Sequence, residues 1–285
     1  MAAHINEYPV GRMCRVFKIS RSGYYAWLRR GESARSIENK RLLNKIRAVY
    51  ISARKLYGSP RIYMKLLADG ELCGKCRVAR LMSANGIRAK RKRKYVVTTD
   101  SKHDLPIAAN LLKRNFTAHS PDKVWLTDIT YIPTDEGWLY KAAVMDLNFK
   151  GIVGWSMGKS LESQLVIDAL KMAYERRKPA RGLIVHSDRG SQYASEAYRK
   201  LVESYGMQMS MSRKGDCWDN APMESFFATL KKELVHQCRY LTRRQARRDI
   251  FDYVEVFYNR TRLHSSLGYM SPTDFENISK LRRAA

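Results

Sequence analysis

The sequence predicts an α/β domain built on a mixed sheet, preceded by a helical and strongly basic region. Three observations predict it. From residue 121 onward the patterning runs strand, strand, strand, helix, strand, helix, strand, helix, an order that sets helices against a partly parallel sheet. Residues 1–120 hold 27 Lys and Arg against 7 Asp and Glu, a net of +20, whereas residues 121–285 hold 26 against 20, a net of +6. Hydrophobic residues make up 45% of the 285, enough for a packed core and for roughly two domains.

Each element has a local reason. Residues 11–30, GRMCRVFKISRSGYYAWLRR, read as two short helices around Ile19 to Ser22, and the polar residues 31–38 as a linker. Leu42, Leu43, Ile46, Val49 and Tyr50 recur at helical spacing within 39–54. Ser59 is the expected cap and Pro60 the first position of a helix to about Ala68, closed by Gly70. CRVARLMSANG reads as its partner, ending at Asn85-Gly86. Two short helices about a Gly-containing turn suggest a helix-turn-helix module; a plain helical hairpin fits the periodicity as well, and the charge favours DNA. The run RAKRKRK at 88–94, with Arg91, Lys92, Arg93 and Lys94, is expected to contact phosphates. Residues 97–118 read as loop with one short helix.

Beyond that boundary, VWLTDITYIP (124–133) alternates and is rich in β-branched and aromatic residues, which makes it a strand. Residues 137–160 give two more strands around a turn at Asn148 to Gly151. ESQLVIDALKMAYERRK (162–178) is an amphipathic helix, GLIVHSD (182–188) a buried strand, SEAYRKLVESYG (195–206) a helix and MQMSMS (207–212) a strand. The expected division is a short helical segment (1–38), a basic helix-turn-helix region (39–95), a linker (96–118), a core (119–236) and a helical C-terminal extension of the core (237–285).

Three carboxylates interrupt apolar elements of the core. Asp128 shares a strand face with Leu126 and Thr130, where an isolated charge is costly. Asp188 ends the strand LIVHSD, at the carboxyl edge where α/β sheets place ligands. CWDNAPMESFFATLKKEL (217–234) opens a helix, with Asp219 or Asn220 as cap and Pro222 in the first turn; Met223, Phe226, Phe227 and Leu230 face a core, and Glu224 is expected at its buried edge. Apposed carboxylates repel unless a cation sits between them. Mg²⁺ takes oxygen ligands from one or two carboxylates and substrate phosphates, and a pair of ions suits in-line displacement at phosphorus. Taken singly, each acid is more often a cap or an ion-pair partner, and Asp146 is expected to be one of those.

Other classes are excluded or weakened. No apolar run approaches a membrane span of about 20 residues, and MAAHINEYPVGRMCRV has no signal-peptide core. The expectation is a cytoplasmic, nucleoid-associated protein without a membrane partner. Five scattered cysteines do not make a disulfide framework, and Cys73-Gly-Lys-Cys76 lacks a second ligand pair for zinc.

The acids resemble the DDE catalytic core shared by retroviral integrases and many transposases, on a ribonuclease-H-like fold. Asp188 and Glu224 are separated by 35 residues and Asp128 and Asp188 by 59; Lys231 follows Glu224 by seven, on the same helix face. WLTDITYIPT, HSDRGSQYAS, SRKGDCWDNAPMESFFATLKKE and YNRTRLHSSLGYMSPTDFE resemble the insertion-sequence transposases named for insertion sequence three, as does YGSPRIYMKLL with RVARLMSANGIRAKRKRKY upstream. The similarity runs from about residue 10 to 278, with Asp216 departing from a common Asn. The resemblance implies Asp128, Asp188 and Glu224 as metal ligands for two Mg²⁺ ions, with Mn²⁺ as a substitute. It implies water as nucleophile for cleavage and a DNA 3′-hydroxyl for joining. Lys231 is expected at a phosphate near the cut, and Arg189, Arg213 and Lys214 are candidate phosphate contacts by charge and proximity. His186 reads as a buried strand histidine, and the resemblance assigns His264 no role.

Members of that family commonly fuse a short upstream product to the catalytic one by frameshift. This chain resembles the downstream product, so its implied partners are insertion-sequence ends, target DNA, the upstream product and further copies of itself. A ribonuclease-H-like nuclease would hydrolyse without joining, and a DNA-binding remnant would bind without metal-dependent chemistry.

Overall fold

The computed structural model describes residues 1–90, 107–213 and 217–284. The chain forms two compact units, Met1–Arg54 with Gly58–Arg88, and Lys55–Tyr57 with Ala89–Ala285.

The first unit is helical: α1 (Val10–Val16), α2 (Arg21–Arg29), α3 (Ala34–Ser52), α4 (Ser59–Ala68) and α5 (Lys75–Ala84). Ser20 caps α2 by accepting the Gly23 N–H at 3.0 Å, and Ser33 caps α3 by accepting that of Ser36 at 3.2 Å. That cap starts α3 inside the stretch expected to be linker. Helix α4 begins one residue earlier than expected: Gly58 takes the cap position, Ser59 is already helical, and no side chain caps it. Leu42, Ile46 and Val49 of α3 pack in the core with Ile62 and Leu66 of α4 and Val78 and Met82 of α5. Gly70 and Gly86 end α4 and α5 with φ of 82° and 65°, where a side chain would be strained.

The second unit carries a five-stranded sheet of β1 (Val124–Thr134), β2 (Gly137–Asp146), β3 (Ile152–Gly158), β4 (Ile184–Ser187) and β5 (Gln208–Met211), in the order β3-β2-β1-β4-β5. β1, β2 and β3 form an antiparallel meander, while β4 and β5 add parallel to the other edge of β1. Parallel addition needs crossovers, and α6 (Ser163–Arg177) and α8 (Glu196–Ser204) supply them, with the short α7 (Ser191–Ala194) between. The mixed α/β class expected from the patterning is therefore the observed one.

The two sheet faces are covered differently. Trp125, Ala142 and Val144 point into a core with Leu170 and Ala173 of α6 and Tyr198 of α8. A Cβ on Gly154 would collide with the backbone of Ala169 and Ala173, so α6 lies directly on β3. On the other face α9 (Ala221–Glu233) contacts β1 and buries Met223, Phe226, Phe227 and Leu230. α10 (Arg243–Phe251) packs on β1 and β2 and runs directly into a π-helical stretch, Asp252–Tyr258, before α11 (Pro272–Ala284). Asn259 then accepts the Ile152 N–H and donates to its carbonyl, both at 2.9 Å, closing the start of edge strand β3.

Candidate active site

Strand register brings the first two acids together. β1 and β4 are parallel neighbours with Leu126 opposite His186, so two residues further along each chain Asp128, still within β1, and Asp188, just past β4, come alongside each other. The Ile129 N–H bonds one Asp128 oxygen at 2.7 Å. Asp188 lies just past β4 and accepts the Gly190 N–H at 3.0 Å, a side-chain turn that lets the chain double back into α7. A Cβ on Gly190 would sit 3.1 Å from that carboxylate, so glycine leaves it room.

Helix α9 brings the third acid and a cation. Asn220 donates to the Thr127 carbonyl at 3.1 Å, tying the helix start to the residue before Asp128. Glu224 lies in the first turn of α9 and is exposed, not at a buried edge as its apolar neighbours suggested. Those neighbours, Met223, Phe226, Phe227 and Leu230, fill the buried stripe of α9, and Glu224 falls outside it. Lys231 is half-buried.

Burial, the charge of Asp188 and that of Glu224 push the Asp128 carboxyl well above the usual range, against the Ile129 amide and Lys231. Glu224 is raised by partial desolvation. Burial lowers Lys231, which the Asp128 charge opposes. Asp128 and Glu224 form no ion pair among the described residues. Nor do three His, Cys, Asp or Glu among them converge on one point that could hold an ion. Oxygen donors within electrostatic reach of one another are a set that fits hard cations completed by substrate phosphate.

The remaining expectations divide. Arg189 spends its Nε on the Ser212 carbonyl at 2.7 Å. Arg213 directs Nε and one Nη at Asp219, at 3.1 and 3.2 Å. Arg91, Lys92, Arg93, Lys94 and Lys214 lie outside the described residues. Neither Asp219 nor Asn220 caps α9 with its side chain. Asp219 is fully buried, and the Arg213 and Arg114 guanidiniums, with the Arg213 amide, hold its carboxyl well below the usual range against the cost of burial. Asp146 is buried and receives the amides of Asp122 and Asn148 at 2.6 and 2.8 Å; burial raises it to about 6. His186 is buried between Ser210, at 2.8 Å, and the Asp219 carbonyl, at 3.0 Å.

Tyr193 was not singled out by its sequence context. Its hydroxyl lies 3.1 Å from the Thr127 hydroxyl, and its pKa is raised first by burial and then by Asp128 and Asp188. It braces α7 against β1 directly behind the acids.

Residues 118–217 match the family described as Integrase core domain, residues 37–95 an HTH-like domain, and residues 224–279 a second Integrase core domain family. The chain is 46% identical over 263 residues to the Insertion element IS600 uncharacterized 31 kDa protein of Shigella sonnei, covering 92% of this chain and 97% of that one. It is 41% identical over 276 residues to Transposase InsF for insertion sequence IS3A of Escherichia coli (strain K12), covering 96% of each. Among solved structures, the HTLV-2 integrase catalytic core domain in complex with magnesium aligns at 15% identity and a TM-score of 0.44, over 56% of this chain and 99% of that one.

Proposed function

This chain belongs to the insertion sequence IS3 family of transposases, and from that premise we propose that Asp128, Asp188 and Glu224 carry its DNA cleavage and strand transfer. The observation that supports the reading is the position of Asp128, within electrostatic reach of Asp188, Glu224 and Lys231 from three separate chain segments.

Each residue has a role under this reading. Asp128 presents oxygens from within central strand β1 and Asp188 from just past β4, and Glu224 presents its own from the exposed first turn of α9. Two Mg²⁺ ions held there, or Mn²⁺ in their place, would neutralise charge on a scissile phosphate and lower the pKa of an attacking hydroxyl. Lys231 donates to a phosphate oxygen beside the cut from the same helix face as Glu224. Arg189, whose Nε bonds the Ser212 carbonyl, and Arg213, which Asp219 holds, lie beside the acids and contribute positive charge toward the DNA backbone. Arg91, Lys92, Arg93, Lys94 and Lys214 add phosphate contacts, which position DNA without reading its sequence.

The proposed division keeps a basic DNA-binding region at 39–95, a linker at 96–118, the core at 119–236 and its extension at 237–285. The chain works on the bacterial nucleoid together with an upstream reading-frame product, supplied separately or as a frameshift fusion, and as several copies on paired DNA ends.

The test uses the purified chain with its upstream partner, a labelled insertion-sequence end and a plasmid target, in Mg²⁺ and in Mn²⁺. Asp128→Asn, Asp188→Asn and Glu224→Gln are each expected to lower joining by about 10²–10³-fold or more, the scale for losing one stabiliser of transition-state charge. Wild-type joining in any of the three would remove that residue from the set. Nicking without joining by the unaltered protein would point to a nuclease.

A further inference from the structure

We infer that Asp219 is a positioning residue that places Glu224 by anchoring the start of α9. The inference rests on the reading of Glu224 given above. Glu224 makes no hydrogen bond or ion pair among the described residues and is exposed, so its location depends on where its helix begins. That helix has no side-chain cap, although it opens on Asp219-Asn220, two residues well suited to capping. Both side chains point away from the helix and into the core.

The contacts of Asp219 are with distant segments. One oxygen accepts from Arg114 Nε at 3.0 Å and Arg213 Nη2 at 3.2 Å. The other accepts from Asn110 Nδ2 at 2.9 Å, the Arg213 amide at 2.9 Å and Arg213 Nε at 3.1 Å. Its own carbonyl lies 3.0 Å from His186 Nε2 on β4. Asn220 then reaches the Thr127 carbonyl on β1, and Arg213 follows the end of β5. The two residues before α9 are thus tied to β1, β4 and the segment after β5, with Asp128 next to Thr127 within β1 and Asp188 just past β4. A buried carboxylate that accepts five hydrogen bonds from three residues holds its chain in a defined place. Here that placement sets where Glu224 stands relative to Asp128 and Asp188.

The experiment compares Asp219→Asn, near-isosteric but uncharged, with Asp146→Asn, which alters another buried aspartate at the end of β2. Both guanidiniums facing Asp219 are about half exposed and can rehydrate, so the variant is expected to fold. Strand transfer by full-length protein is resolved into kcat and KM for the DNA end, and amide hydrogen exchange is followed across the chain. For Asp219→Asn, kcat is expected to fall about 10²-fold, the scale of a small misplacement at a reacting centre, with KM within about twofold. Exchange is expected to accelerate at 221–227 while β1 and β4 stay protected. Asp146→Asn should lower the thermal midpoint and leave kcat within about threefold. A kcat for Asp219→Asn within about threefold of wild type overturns the inference, and so does uniform loss of protection across the core. If Asp219→Asn does not fold, Arg114→Gln keeps the Arg213 contacts and should lower kcat about tenfold at constant KM; unchanged kcat there also overturns it. Full activity in Glu224→Gln would instead sink the reading of Glu224 itself.

Discussion

Lys141 is a buried cation on β2 that the catalytic reading does not use. It is 0% exposed, its Nζ has no hydrogen-bond partner among the described residues, and the ammonium sits 4.6 Å from the Trp155 ring centroid. Burial pushes its pKa down to about 7 against the pull of Glu255. A lysine whose folded pKa lies below its unfolded value leaves the unfolded chain binding more protons between those two values, so stability rises with pH across that window. Wild type should therefore gain about 2 kcal/mol over Lys141→Met-corrected baseline between pH 7 and 9, and Lys141→Met should be the more stable protein at pH 7. Urea midpoints at the two pH values check both statements, and a pH-independent difference would contradict them. Nothing local in YKAAVMD announces this environment. Asp128 and Asp188 were easier to single out, because an acid on an apolar strand is visible from its immediate neighbours. Asp219 reads as a cap from its neighbours, and its use as an anchor depends on Asn110 and Arg114, more than a hundred residues upstream.

At the scale of elements, α9 is held at both ends. Its last residue, Glu233, is clamped by Arg262 through Nε and Nη2, both at 2.8 Å, and accepts the Tyr253 hydroxyl at 2.7 Å. The stretch YNRTRLH thereby acquires a structural account. Tyr258 packs edge-on against Phe226 of α9, Asn259 closes the start of β3, Arg262 grips Glu233, and the His264 ring meets that of Tyr258 edge-on at 4.8 Å. Arg262 is 5% exposed, so Arg262→Met strips the largely buried Glu233 of its guanidinium partner and should cost about 3–5 kcal/mol. Adding Glu233→Met should restore much of that, because a buried pair replaced by apolar groups is often neutral. Denaturant unfolding of the single and double variants measures the difference, and an additive double variant would show that the clamp is not a coupled pair. Most core elements lie within one or two residues of where periodicity places them. The π-helical stretch at Asp252–Tyr258 and the early start of α3 were not legible, since one depends on packing against the sheet and the other on a single Ser33 hydrogen bond.

For the whole molecule the dominant quantity is charge. The net +26 is concentrated in residues 1–120, and DNA affinity should fall steeply with salt as counterions are released. Replacing Arg91, Lys92, Arg93 and Lys94 by Ala should flatten the plot of log K against log salt by about 3–4 without changing sequence preference. Fluorescence anisotropy on specific and random duplexes from low to high salt reads both, and an unchanged slope would remove the run from the DNA contacts. By itself the sequence determined the α/β class, the strand and helix order, the basic first half and the spacing of three acids. All of these follow from residue types at fixed short separations, where side-chain periodicity and charge act locally. Only the tertiary structure decided that Asp128 lies within electrostatic reach of Asp188 and Glu224, that Glu224 is exposed, and that Asp219 and Glu233 anchor the two ends of α9. Those outcomes are set by burial and by partners tens to hundreds of residues apart, and such partners exist only once the chain has closed on itself.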